Sequence, residues 1–138
     1  MRNLLDHKLT GLNEAITIGV TDEPGPGGAN HSYTLLWGPE PEGRIVDWEL
    51  EINFQKGPIK EAGVNGISNE ALLAILIDRL RGFQYTRNAD GSFNIRAPGE
   101  FACRENAIAL THLEDAMHWL QHRTRDRLAR GVEGVSKQ

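Results

Sequence analysis

Apolar residues fall at every second position in two stretches of the chain. Ile16, Ile18 and Val20 alternate with Thr17, Gly19 and Thr21, which predicts a strand with one apolar side. The period returns, longer, where Val46, Trp48, Leu50, Ile52 and Phe54 share one face and Asp47, Glu49, Glu51 and Asn53 the other, predicting a half-buried strand. Tyr33-Thr-Leu-Leu-Trp37 reads as a third strand between them. A Pro/Gly loop from Asp22 to Asn30 and a turn from Gly38 to Gly43 are hairpin-sized connections, so the strands pair antiparallel.

The period changes after Gly57-Pro58. From Ser68 or Asn69, either of which can cap, a helix runs to Arg81 with Gly82 as its stop. Leu72, Leu73, Ile75, Leu76, Ile77 and Leu80 cover most of its circumference, which suits a helix buried on the sheet or held in an interface. Tyr85-Thr-Arg and Ser92-Phe-Asn-Ile flank Asn88-Ala-Asp90-Gly91, a hairpin turn signal. A last helix extends from Ala102 to Ala129 or Arg130 and ends at Gly131. Along it Asn106, Leu110, Leu113, Met117, Leu120, Thr124 and Leu128 lie within about 40° of one direction. So long a seam pairs with the preceding helix or with a copy of itself. The expected fold is α+β in one domain over 1–138. An N-terminal antiparallel β-sheet at 15–56 is followed by a two-helix hairpin, 68–82 and 102–130, with a β-hairpin insertion at 84–100.

Composition narrows the classes. The chain has 138 residues and a formal net charge of −4, which argues against coating of long nucleic acid, because that needs a broad cationic face. Its single cysteine, Cys103, excludes a disulfide framework and a CxxC zinc ribbon. No run reaches the roughly 18 apolar residues of a membrane span, and the first residues lack a signal-peptide core, so the chain reads as soluble and cytoplasmic. The charge is unevenly spread. Through His118 there are 10 Lys and Arg against 17 Asp and Glu, whereas from Trp119 onward there are 5 against 2. A locally positive helical end inside an acidic chain points to a small anionic partner.

Arg123 and Arg127 are one turn apart, and Arg130 completes a stripe beside the seam, while Arg125 points the opposite way. Their guanidinium forks suit phosphate oxygens; a solvated basic helix end that complements the helix dipole explains the same spacing. Asn106 sits on the apolar seam and needs partners as a cap, an interface amide or a ligand contact. Phe83, just after the Gly82 stop, is either a staple closing the helix or a platform on which a base stacks. His118 and His122 have a metal-sharing spacing, but no third ligand and no intervening HExxH glutamate accompany them. The Asp22–Asn30 loop lacks the Lys-Ser/Thr of a P-loop. No catalytic triad, carboxylate pair or dinucleotide fingerprint is present: the chain offers ligand-binding groups without a catalyst, and no cofactor or metal is expected.

The stretch Phe101-Ala-Cys-Arg-Glu-Asn-Ala-Ile-Ala-Leu-Thr-His-Leu-Glu-Asp-Ala-Met-His-Trp-Leu, continuing from Arg123-Thr-Arg-Asp-Arg-Leu through Gly134, resembles the helical hairpin of phage signal sponges. It is most similar to the first type of Thoeris anti-defence protein, whose hairpin is shared with an anti-CBASS sponge family. Asp22 to Asn30, Asn53 to Glu61 and Asn65 to Ala74 also resemble that group, so the likeness spans residues 15–134. It implies a non-enzymatic protein in the cytoplasm of an infected bacterium that sequesters a cyclic ADP-ribose isomer and keeps the downstream effector silent. It also implies a homodimer or higher homo-oligomer, up to a hexamer, with pockets between subunits. Cyclic di- or trinucleotides are the alternative or additional ligands, and a structural phage oligomer without ligand is the rival reading. Carried over residue by residue, Phe83 matches an adenine-stacking position, Asn106 a pocket amide, and Arg123 with Arg127 a pyrophosphate-holding pair. Arg104 and Trp37 are further candidates. The chain departs from the group in the stretch from Tyr85 to Gly99, where the group has only a few residues.

Overall fold

The computed structural model describes residues 1–38, 48–132 and 134–135. The chain divides into two compact units, Met1–Ile67 and Ser68–Gln138.

In the first unit the alternating segments form an antiparallel sheet in the order β1 (Arg2–Leu4), β2 (Ile16–Val20), β3 (Ser32–Trp37) and β4 (Trp48–Asn53). The register sets Ile18 opposite Leu35 and Leu35 opposite Leu50, with Val20, Tyr33 and Ile52 in the next row and Ile16, Trp37 and Trp48 at the other end. Residues directly opposite share a face, so these rows make one apolar side, while Thr17, Thr34, Glu49 and Glu51 lie on the other. Val20 is buried, 1% exposed, and Tyr33 meets Phe54 edge-on at 5.7 Å.

Three details differ from the sequence expectation. β1 adds a strand before residue 15. Phe54 lies beyond β4, its N–H donating to the His31 carbonyl at 2.7 Å, while Val46, Asp47 and the expected turn after Gly38 lie outside the described residues. Trp48 and Leu50 are 58% and 47% exposed, because β4 is an edge strand and, among the described residues, their row has a neighbour on one side only. After β4 a one-turn helix, α1 (Ile59–Ala62), is held in a loop braced by side-chain amides. Gln55 donates to the Gly57 and Gly63 carbonyls, and Asn65 both accepts from and donates to the Lys56 backbone.

The second unit is a helical hairpin. α2 (Asn69–Gln84) starts at Ser68, whose hydroxyl accepts the Ala71 N–H. It does not stop at Gly82. The helix continues through Phe83 to Gln84, Gly82 lacks a positive φ, and the Tyr85 N–H closes the last turn on the Arg81 carbonyl. Ile77 and Leu110 (5% and 2% exposed) are the buried centre where α2 packs on α3 (Arg104–Ala129). Each such burial contributes about 1.5–3 kcal/mol. Leu113, Met117, Leu120 and Thr124 continue the seam half-buried, whereas Leu128 is 60% exposed. On α2, Ile75 and Leu76 are 65% and 42% exposed, so the helix is buried along one side only.

Between the helices, β5 (Tyr85–Arg87) and β6 (Phe93–Pro98) form a two-stranded antiparallel hairpin. Asp90 accepts from the Ser92 N–H and hydroxyl at its tip, and Arg87 lies over the Phe93 ring at 4.2 Å. α3 begins at Cys103, whose sulfur accepts the Asn106 N–H at 3.4 Å. It ends in a Schellman turn, with Gly131 at φ +70° and Val132 N–H bonded to the Arg127 carbonyl.

Candidate ligand-binding site

Apart from Arg104, the candidate side chains of the second unit fall into two groups. One lies where α2 ends and α3 begins. Phe83, in the last turn of α2, meets Phe101 edge-to-face at 6.3 Å, and the Arg79 guanidinium lies 4.9 Å over its ring. The Asn106 side chain donates to the Phe101 carbonyl at 3.3 Å, and the Gln84 side chain accepts the Cys103 N–H. Gly99 seals the joint: its N–H donates to the Gln84 carbonyl, and a Cβ there would sit 2.5 Å from the Phe83 carbonyl oxygen. The seam amide and the aromatic after the glycine thus belong to one cluster. Arg79 and Phe101 belong to it too; the one sequence signal for them is that Arg79 precedes Phe83 by one helical turn.

The other group lies near the C-terminal end of α3. Arg123 is exposed and has no ion pair among the described residues. Arg127 is half-buried and donates to the Val132 and Val135 carbonyls, both at 2.9 Å, and so ties down the end of the helix. Arg130 pairs with Asp126. At a rise of 1.5 Å per residue, Arg123 lies about 25 Å along the helix from Asn106. A single hairpin does not bring the aromatic and arginine groups together.

Arg104 is two residues from Asn106 and so points to the opposite side of α3. There it lines a shallow depression of about 390 Å³ with Ala107, Ile108, Thr111 and His112. Trp37, 39% exposed, belongs to the sheet of the first unit, between Ile16 and Trp48. His118 and His122 stack with centroids 6.5 Å apart, and Trp119 sets its ring edge-on to both. No group of three metal-ligating side chains occurs among the described residues. The Pro/Gly loop is organised by Asp22, whose carboxylate accepts the His31 and Ser32 N–H groups at 3.0–3.2 Å. Burial pushes the Asp22 carboxyl upward, but those two N–H groups, the Asn30 amide and the Lys56 charge outweigh it and hold it below its ordinary value.

A family model described as the Acb2/Tad1 hairpin domain matches residues 49–125. The match starts in β4 and takes in Phe83, Arg104, Asn106 and Arg123. A protein named Thoeris anti-defense 1, from Bacillus phage SBSphiJ7, is 48% identical over 84 residues, which are 61% of this chain and 50% of that protein. The chain thus spans half the length of this relative.

Proposed function

This chain belongs to the Acb2/Tad1 hairpin-domain family, and from that premise we propose that it is an anti-defence sponge. In this reading it binds a cyclic ADP-ribose isomer in the infected cell, holds it without cleaving it, and so silences Thoeris-type immunity. The observation that carries the reading is the 48% identity to a phage Thoeris anti-defense 1 protein. The side chains supply suitable chemistry. Phe83, met edge-on by Phe101, offers a ring for adenine; Asn106 offers an amide; Arg123 and Arg127 offer charge-assisted hydrogen bonds to a pyrophosphate.

The separation of these groups along α3 supports a site built from two chains. If two α3 helices run antiparallel across a two-fold axis near their midpoints, the Asn106 level of one chain meets the Arg123–Arg127 level of the other. Each dimer then holds two equivalent sites. A sponge needs tight binding, and nanomolar affinity corresponds to about −12 kcal/mol. Isothermal titration against a panel of cyclic ADP-ribose isomers and cyclic oligonucleotides tests the reading, followed by heat denaturation and chromatography of the released ligand. Binding of one isomer with intact recovery is expected. No heat with any isomer overturns the ligand assignment, and recovery of a cleaved product overturns sequestration.

A further inference from the structure

The arginines of the second unit differ in how they are occupied. Arg81 pairs with Glu114, Arg87 with Asp78 and Arg130 with Asp126, while Arg127 bonds to two carbonyls. Arg79 makes no ion pair with any described residue, and its guanidinium rests over the Phe83 ring. One exposed cation is therefore parked on the aromatic side chain that the proposed function uses as a platform.

We propose that Arg79 and Phe83 form a clamp that closes on the two faces of a nucleotide base, with Arg79 as a further ligand-binding residue. This rests on the reading of Phe83 as the stacking platform. A base needs about 3.5 Å on each side, so the guanidinium must lift from 4.9 Å to about 7 Å above the ring. The long arginine side chain allows this movement without any shift of α2. Once lifted, the planar guanidinium lies flat on the base and its N–H edges face outward, where phosphate oxygens of the same ligand come within reach. Phe101 meets the Phe83 ring edge-on and Gly99 packs against the Phe83 backbone carbonyl, so the floor of the clamp sits on the helix end while its cover, a long side chain, moves. The chemistry fits a ligand combining a purine with nearby phosphate, and it favours arginine over lysine because a point charge cannot stack.

Titrations of the cyclic ADP-ribose isomer panel into the full chain and its Phe83→Ala, Arg79→Ala, Arg79→Lys and Arg125→Ala variants test the clamp. Arg79→Ala is expected to weaken binding about tenfold. Arg79→Lys should remain several-fold weaker than wild type, and Arg125→Ala should bind like wild type, with unchanged melting curves for the Arg79 and Arg125 variants. Wild-type affinity in Arg79→Ala or in Arg79→Lys, alongside weakened Phe83→Ala, overturns the clamp while the platform stands. Absence of binding by the wild-type protein, or undiminished binding by Phe83→Ala, overturns the platform and the clamp with it.

Discussion

Asp22 shows how one carboxylate can organise a glycine-rich loop. The loop from Asp22 to Asn30 has few side chains able to pack, so its shape depends on polar contacts to the start of β3. Because the folded-state pKa of Asp22 lies below its unfolded value, the ionised carboxylate stabilises the fold at neutral pH. That contribution is complete above the unfolded pKa of about 3.9 and is lost as pH falls through the lower folded value. Asp22→Asn is therefore expected to lower the melting temperature at pH 7, with the gap to wild type closing below about pH 4. Parallel melts from pH 7 to pH 2 check it; a gap independent of pH removes Asp22 from the acid response. Arg127 teaches a related lesson. Its spacing from Arg123 was readable, but its hydrogen bonds to Val132 and Val135 depend on how the chain turns back after Gly131, which no period encodes.

At the scale of elements, β2, β4 and α3 are legible because each carries one clear period, whereas β3 and α2 are legible as apolar runs bounded by turn or cap residues. β1 is not, since three residues are too few to show alternation. The end of α2 was misplaced for a different reason: glycine often stops helices, but at Gly82 nothing pulls the backbone into the left-handed region, and the Tyr85 N–H continues the ladder. The candidate cluster was half legible. Phe83 and Asn106 stood out as an aromatic and an amide in unusual places, whereas Phe101 joins them only because the β5–β6 hairpin folds back onto α2. Two substitutions separate these roles. Nothing lies within 4 Å of a Cβ at Gly82, so Gly82→Ala should raise stability by about 0.5–1 kcal/mol. Gly99→Ala pushes a methyl group against the Phe83 carbonyl and should cost about 1–3 kcal/mol. Urea denaturation measures both, and equal effects would mean that Gly99 does not pack against the Phe83 carbonyl.

At the scale of the whole molecule, the question is how many chains make a site. If Phe83 and Asn106 come from one chain and Arg123 from another, two individually inactive variants should complement each other. Mixing Phe83→Ala with Arg123→Ala at equal concentration, after unfolding and refolding together, should restore about one quarter of the wild-type sites, because half the dimers are mixed and each has one intact site. Titration of the mixture against each variant alone gives the answer; no recovery places both groups on the same chain. The same 25 Å of helix that divides the groups, about seventeen residues of α3, also has a consequence for dose. Sites made by two chains exist only when chains meet. While chains are dilute relative to their self-association constant, doubling their number quadruples the capacity to absorb a signal. Under the proposed function, protection built this way would be weak at first and then rise steeply, a threshold set by arithmetic rather than by any regulatory switch.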